Sequence, residues 1–344
     1  MQLLDLVNLP KAELHLHIEG TLEPEMMFAL AARHGIQLPW NCVVEAREAF
    51  RFGTLQSFLD LYYAGMAVLR TAEDFRDLAL AYLRRANAEG VVHAELFFDP
   101  QAHRAKGISF LTIARALKEA ADVIEAETGM TSLLIPCVLR HLDEADGMRM
   151  LDEVLEHPEL VVGVGLDSSE VGHPPSKFTR LFRRVRDAGL NVVAHAGEEG
   201  PPDYIRQAID ELGATRIDHG VRILEDAELT QKVARAGIPL TVCPVSNWRL
   251  GGCATLADHP LPRMLDAGLN VTIHSDDPSY LQAYILGNYE AVRNSMGVAD
   301  AQLATLAKAS IDASFACGKD ILKHENAWMR FMDKDKSRPQ GRLM

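Results

Sequence analysis

Cysteine is scarce in this sequence and is never clustered. Its five cysteines (Cys42, Cys137, Cys243, Cys253 and Cys317) are scattered over 344 residues. An odd number without close pairs argues against a disulfide framework, so we expect reduced thiols and a cytoplasmic protein. The first residues also lack the basic segment and apolar core of a signal peptide, which agrees with that expectation.

Excess positive charge and long apolar runs are also missing. With 35 Lys and Arg against 48 Asp and Glu, the formal net charge is -13. Such a chain lacks the basic footprint of a nucleic-acid-binding protein and does not attract phosphorylated substrates from a distance. No apolar stretch approaches the length needed to span a bilayer. We therefore expect no nucleic-acid or membrane partner, while the oligomeric state, including a homo-oligomer, stays open.

Short apolar segments rich in β-branched residues alternate with segments of helical periodicity. Eight of them predict strands, at 12–17, 91–98, 132–139, 160–166, 191–197, 215–220, 239–246 and 270–276. Eight strand–helix units in one chain are typical of a closed (β/α)8 TIM barrel of the α/β class. An open doubly wound sheet is the alternative. However, "GVGLDS" lacks the third glycine of a dinucleotide fingerprint, and no phosphate-binding loop is present.

The spacing of the strands is uneven in one place. Between the first and second strands lie three helical patterns, at 23–34, 55–69 and 73–88. An excursion at this point lies on the C-terminal face, where barrel active sites are built, so it could form a lid and pocket wall. We predict one barrel domain over residues 1–344, with extra helices after strand 1 and at the C-terminus.

Polar residues collect where the predicted strands end. They are His15 and His17 on strand 1, His195 on strand 5, His219 on strand 6, and Asp276 and Asp277 on strand 8. Any one of these has an ordinary structural explanation. Together they occupy the positions from which barrel enzymes draw their catalytic groups.

The chemistry of this set indicates a metal. On a strand, His15 and His17 point to the same side. With His195 and Asp276 they offer three nitrogens and one oxygen, which suits one Zn²⁺ with an open position for water. Strand 4 has no lysine that could bridge two metals. The deaminase signature that ends in P-C-x-x-C is absent.

Two further residues suit proton transfer and orientation. Glu198 follows His195 closely in "HAGE", so its carboxyl can lean over the metal and carry a proton to a substrate nitrogen. His219 can hydrogen-bond a metal-bound water and orient its attack.

At these residues the sequence resembles the adenosine/adenine deaminase family of the amidohydrolase superfamily. The similarity runs from "PKAELHLHIEGTLEPE" through "HAGEEG", "RIDHG" and "VCPVSN" to "HSDDP". It implies a zinc barrel that replaces the 6-amino group of a purine by hydroxyl. By position, His15, His17, His195 and Asp276 match the zinc ligands.

The remaining roles also follow from the resemblance. Glu198 matches the proton donor to purine N1, and His219 matches the residue that orients and activates the water. Asp277 matches the carboxyl that hydrogen-bonds purine N7.

Two departures from the nucleoside-hydrolysing members bear on the substrate. Those enzymes typically have Asp-Gly after the paired histidines, where this chain has Glu19-Gly20. We expect the longer Glu19 carboxylate to project into the ribose space. Their Ala-Gly-Asp-Glu is here Asp167-Ser168-Ser169-Glu170, so Ser168 would contact the N3 side of the purine.

These features resemble the bacterial and fungal adenine deaminases. They predict zinc-dependent hydrolysis of adenine to hypoxanthine and ammonia, a purine-salvage reaction. Trp248 and Arg249 could reshape the pocket, so an N6-substituted adenine deaminase remains an alternative. An adenosine deaminase and a purine-binding barrel without catalysis are the others.

Overall fold

Eight strands run parallel, each paired with the next along the chain. The computed structural model describes residues 3–337. The strands are β1 (Lys11–His17), β2 (Val91–Phe98), β3 (Thr131–Leu139), β4 (Gly163–Asp167), β5 (Asn191–Ala196), β6 (Arg216–His219), β7 (Leu240–Val242) and β8 (Val271–Ile273).

Helices connect and surround the strands. They are α1 (Pro24–His34), α2 (Val43–Ala49), α3 (Leu55–Gly65), α4 (Ala72–Ala88), α5 (Pro100–Arg104), α6 (Phe110–Thr128), α7 (Glu144–Leu155), α8 (Thr179–Asp187), α9 (Pro202–Gln207), α10 (Ala227–Ala236), α11 (Pro244–Arg249), α12 (Leu261–Asp266), α13 (Ile285–Ser295), α14 (Asp300–Asp312) and α15 (Gly318–Ser337). The described helices include none that is long and apolar enough to cross a membrane.

The (β/α)8 barrel predicted from the sequence is confirmed, and the differences lie at element ends. The seventh strand was expected to reach residue 246 but ends at Val242. Pro244 begins α11 instead, because proline has no N–H for a strand ladder and its fixed φ suits the first turn of a helix. The three helical patterns after strand 1 form α1, α3 and α4, and α2 is an additional short helix among them.

The barrel closes between β1 and the residues just after β8. Leu16 and Asp276 form an isolated parallel bridge. In it, Asp276 N donates to His15 O at 3.0 Å and His17 N donates to Asp276 O at 3.0 Å. Closure therefore places the end of β1 directly beside Asp276.

Side chains and C-terminal helices reinforce this junction. Glu13 accepts hydrogen bonds from the amide and hydroxyl of Ser275, at 3.1 and 3.0 Å. Helix α14 packs on both β1 and β8, and Ser310 on this helix accepts from Ala12 N at 2.8 Å. The extra C-terminal helices thus support the strands that carry part of the candidate site.

The interior of the barrel is apolar directly below that site. Phe97, Ile135, Cys137 and Val193 form a fully buried cluster separate from the larger core under the helices. The ring centroid of Phe97 lies 5.4, 5.2 and 5.8 Å from those of His15, His17 and His195. These rings are therefore packed against a rigid apolar floor.

Candidate active site

A cavity at the C-terminal ends of the strands contains most of the residues expected from the sequence. Five side chains of α3 form its apolar wall, so this helix covers the mouth of the barrel. Its lining residues are His17, Leu55, Phe58, Leu59, Tyr62, Tyr63, Asp99, Asp167, Ser168, His195, Glu198, His219, Leu250, Asp276 and Asp277. Of the predicted site residues, only His15 and Glu19 are missing from this lining.

Three imidazoles converge at the bottom of the cavity. His195 Nε2 lies 3.1 Å from His15 Nε2 and 3.1 Å from His17 Nε2. Asp276 Oδ1 lies 3.4 Å from His15 Nε2 and 3.5 Å from His17 Nε2. Ligand atoms bound at about 2.1 Å to one tetrahedral metal lie roughly 3.4 Å from each other. These four distances, of the six among the four atoms, lie close to that spacing, which supports a single divalent metal ion.

Acceptors near the opposite ring nitrogens orient two of the converging imidazoles. His15 Nδ1 faces the Thr241 carbonyl at 3.0 Å, and His195 Nδ1 faces the Asp218 carboxylate at 3.4 Å. A carbonyl and a carboxylate can only accept, so a proton lies on each Nδ1 and each Nε2 is the atom turned toward the convergence point. Burial and the neighbouring His195 lower the pKa of His17 to about 3, so the imidazole of His17 is neutral.

His219 approaches the same point. One potential ligand atom from each of four residues lies within 4.8 Å of the others, and these residues are His15, His195, His219 and Asp276. A chain of hydrogen bonds determines where its proton sits. Leu261 N donates to His259 Nδ1 at 3.1 Å, so His259 Nε2 carries the proton and donates to Asn247 Oδ1 at 3.2 Å. The Asn247 amide nitrogen then donates to His219 Nδ1 at 3.2 Å.

This relay makes His219 Nε2 a donor, because its Nδ1 is the accepting atom. A protonated nitrogen cannot bind a metal, so His219 differs in function from His15 and His195. Burial lowers the pKa of His259 to about 4, which keeps the relay neutral at neutral pH.

Two adjacent carboxyl groups are held in opposite protonation states. Burial alone would raise the pKa of Asp276, but its contact with His15 outweighs this effect and holds the pKa well below its ordinary value. Burial and the charge of Asp276 raise the pKa of Asp277 well above its ordinary value. Asp276 therefore suits a metal, whereas protonated Asp277 can donate to a ring nitrogen.

Asp277 reaches the cavity because the loop after β1 contains a glycine. A Cβ at Gly20 would lie 2.0 Å from Asp277 Oδ1, so any larger residue would displace this carboxyl. The close approach explains why the motif requires glycine at position 20.

Glu198 is buried beside His219, with Oε2 at 3.5 Å from His219 Nε2. Burial raises the pKa of Glu198 well above its ordinary value, and the charges of Asp276 and Glu170 act in the same direction. This shift favours the protonated form, which a general acid needs.

Backbone strain is concentrated in the candidate site. Ser168, His219, Asp276 and Gln282 are the non-glycine residues of the described chain with positive φ, at 74, 65, 67 and 54°. Three of these four line the cavity. Such conformations are unfavourable for non-glycine residues and typically cluster at functional sites.

Ser168 connects helix α3, which covers the mouth of the barrel, to the barrel itself. Its hydroxyl lies 3.1 Å from Tyr63 OH on α3 and 2.8 Å from His141 Nδ1 after β3. The hydroxyl lines the cavity, so it could also meet the edge of a bound ring. Neither Tyr63 nor His141 was identified from the sequence.

Glu19 does not project into the cavity as expected. Its side chain is fully buried, and Oε1 accepts from Asp99 N at 3.1 Å and from His103 Nε2 at 3.0 Å. These two bonds turn the carboxylate away from the lining. Asp99, directly after β2, lies there instead beside Asp167. An aspartate at a strand end was the signal that could have identified it.

Trp248 and Arg249 do not line the cavity either. Trp248 is 37% exposed at the surface, and Leu250 is the residue of this segment that reaches the lining. Trp248 therefore makes no direct contact with the cavity through which it could influence the substrate.

Comparison with known proteins agrees with this geometry. The model of the adenosine deaminase family matches residues 10–324. The chain belongs to the adenosine deaminase family. An adenine deaminase of Rhodospirillum rubrum is 54% identical over 308 residues, which cover 90% of this chain and 92% of the relative.

Two solved structures are also similar. An adenine deaminase from Arthrobacter aurescens superposes with a TM-score of 0.92 at 48% identity, covering 95% of this chain and 99% of that one. An amidohydrolase from Burkholderia ambifaria with bound zinc superposes with a TM-score of 0.88 at 28% identity, covering 96% and 92%.

We predict that the purified protein holds one equivalent of divalent metal and that His17→Ala loses it. This substitution removes one of the converging Nε2 atoms, and the two remaining imidazoles cannot complete the site. Elemental analysis after exhaustive dialysis measures the metal content. His157→Ala, at a partly exposed histidine outside the cavity, is the control and should keep the metal. Two equivalents in the unaltered protein would contradict a single-metal site.

Proposed function

We propose that this protein catalyses the hydrolytic deamination of adenine, with one zinc ion per chain. The observation that carries the proposal is the meeting of three imidazole Nε2 atoms and Asp276 beside two buried carboxyl groups, Glu198 and Asp277, whose pKa values burial raises. The adenine deaminases to which the chain is about half identical support the choice of substrate.

His15, His17, His195 and Asp276 would hold the zinc, in agreement with the bound zinc of the Burkholderia ambifaria amidohydrolase. Strand β4 has no lysine for a second metal. When bound, zinc would act as a Lewis acid that makes water nucleophilic at neutral pH.

The protein's own residues then supply protons and orientation. Protonated Glu198 delivers a proton to ring N1, which makes the adjacent C6 more electrophilic. His219 donates through Nε2–H to the attacking oxygen and so directs it toward C6. Asp277 donates to N7 and holds the ring in register. As water adds at C6, one of its protons replaces the proton that Glu198 gave to N1. Its other proton passes to N6 when the C6–N6 bond breaks, so ammonia leaves and hypoxanthine, with oxygen at C6, remains.

Two carboxyl groups of the cavity lining would favour a free base over a nucleoside. Burial raises the pKa of both, that of Asp167 to about 6, and the two groups interact with each other, while Asp99 Oδ1 and Asp167 Oδ1 have no other hydrogen-bond partner. Adenine has an N9–H that can satisfy such an acceptor, whereas adenosine carries a ribose at N9 and no proton there. Burying an unsatisfied carboxyl group is unfavourable, so these acceptors discriminate against the nucleoside. A free-base deaminase of this kind would serve purine salvage.

We predict that Glu198→Gln keeps its metal and its fold, while its turnover of adenine falls about 10²–10⁴-fold or more. This range is the usual contribution of general acid–base catalysis, about 10²–10⁴-fold. Glutamine has nearly the same shape but cannot deliver the proton. Ammonia release measures the rate. The exposed Glu228→Gln is the matched control and should be unchanged. A Glu198→Gln enzyme with near-normal turnover would rule out the proton-donor role.

We predict that Asn247→Asp lowers turnover by about 10²-fold or more while the metal is retained, since a catalytic histidine with its proton on the wrong nitrogen loses much of its activity. A carboxylate beside His219 Nδ1 would draw the proton to that atom and away from Nε2. Steady-state kinetics and the ¹⁵N shifts of labelled His219 report the two effects. Asn294→Asp, on the exposed side of α13, is the control. Unchanged turnover despite a shifted tautomer would show that the His219 proton is not needed at Nε2.

We predict that kcat/KM for adenine exceeds that for adenosine by at least about 10²-fold, because unpaired buried acceptors penalise the wrong substrate strongly. Steady-state rates for adenine, adenosine, N6-methyladenine and cytosine measure it directly. Comparable efficiencies for adenine and adenosine would favour an adenosine deaminase. Activity confined to N6-methyladenine, measured as methylamine release, would favour an N6-substituted adenine deaminase. Release of neither ammonia nor methylamine from any of these compounds would indicate a purine-binding protein without catalysis.

A further inference from the structure

We propose that Glu170 is a positioning residue that sets the place of the Glu198 carboxyl. The inference rests on the proposed function, in which Glu198 is the proton donor. Glu170 lies in the loop after β4, and its side chain is 1% exposed. It is neither a predicted ligand nor part of the cavity lining.

The Glu170 carboxylate accepts four backbone hydrogen bonds from one loop. Oε1 accepts from Gly197 N at 2.7 Å. Oε2 accepts from the amides of Glu198, Glu199 and Gly200, at 3.0, 2.7 and 2.7 Å. Charged acceptors make short, strong hydrogen bonds with amides, so this carboxylate holds the backbone of Glu198 and of both its neighbours.

Two arginines bind carbonyl groups at the end of β5 and in the loop that follows it. Arg140 Nη1 donates to His195 O at 2.6 Å, and Arg222 Nη1 donates to Glu199 O. Arg140 is fully buried, as is Glu170, so the loop is fastened to charged groups inside the protein. Among the hydrogen bonds of the described residues, Glu170 is the side chain that binds the amides.

The loop sequence is adapted to this contact. Gly197 has a φ of 73°, which turns the following amides toward a common point. A Cβ at Gly200 would lie 2.6 Å from both Glu170 Oε1 and Tyr204 Cδ2, so glycine lets the carboxylate and this ring come close to the loop. Both glycines of "GEEG" are therefore explained by the approach of Glu170 and the path of the backbone.

The Glu198 carboxyl depends on its backbone for its position. Its contact with His219 Nε2 is long, at 3.5 Å, and provides little anchoring. A displacement of about 1 Å in a catalytic group is enough to lower turnover roughly 10²-fold. Fixing the amides of 197–200 thus fixes where the proton is delivered.

The first test is Glu170→Gln, which replaces one accepting oxygen by an NH₂ group that faces N–H donors. We expect kcat for adenine to fall about 10²-fold, with KM changed less than about threefold and metal content unchanged. The exposed Glu228→Gln is the matched control. Turnover within about threefold of normal would overturn the proposal.

A double-mutant cycle separates positioning from a general structural role. If Glu170 acts through Glu198, then Glu170→Gln in a Glu198→Gln background costs less than about threefold more. If the two losses multiply, Glu170 acts on something else and the proposal fails. Near-normal turnover of Glu198→Gln alone would instead refute the donor role, which identifies the failure as that of the proposed function.

Should Glu170→Gln not fold, Gly200→Ala asks the same question with the charge retained. The added methyl group would push the carboxylate from the loop, so we expect the same loss in kcat and the same lack of additivity with Glu198→Gln. Gly287→Ala is the control, since a Cβ there makes an ordinary 3.6 Å contact with Ala283. Normal turnover of Gly200→Ala would overturn the proposal.

Discussion

Closure of the barrel between β1 and Asp276 is the constraint on which the candidate site depends. The two backbone hydrogen bonds at this junction join His15 and His17 to Asp276, so the same contacts close the sheet and assemble three of the four proposed ligands. To form these hydrogen bonds, the backbone of Asp276 adopts the left-handed conformation, with a φ of 67°. This strain is maintained because Glu13, Ser275 and α14 hold the junction from the opposite side.

Placing so many ionisable groups in one buried cavity separates their protonation states. The contact with His15 lowers the pKa of Asp276, while burial and the charge of Asp276 raise the pKa values of Asp277 and Glu198. In the proposed site, Asp276 would therefore hold the metal, and its charge would help to keep the two neighbouring carboxyl groups available as donors. A pair of chemically identical residues in sequence thus acquires two different functions from its surroundings.

The precision of the site comes from residues that do not reach the cavity. Thr241 and Asp218 set the tautomers of two histidines, and the relay through His259 and Asn247 sets the opposite tautomer in His219. In the proposed role of Glu170, its carboxylate orients the backbone amides of Gly197 and Glu198 in the way that the other groups orient imidazole rings. Each of these supporting groups is buried, so the orientation it imposes is retained before any substrate arrives.

The sequence by itself determined the parts of this protein that follow from local periodicity and spacing. Alternation along β1 predicts that His15 and His17 face the same side, and the eight apolar segments predict the barrel and the edge where polar residues gather. The helices after strand 1 were likewise recognisable from their period.

Only the tertiary structure decided the orientation of Glu19, the entry of Asp99 into the lining, and the relay to His219. His103 lies 84 residues from Glu19, and Asn247 lies 28 residues from His219. Such partners meet because closed strands and their loops converge, and no local pattern records which donor will face which acceptor. The direction of a buried carboxylate or the tautomer of a histidine depends on that pairing, so it exists only once the chain is folded.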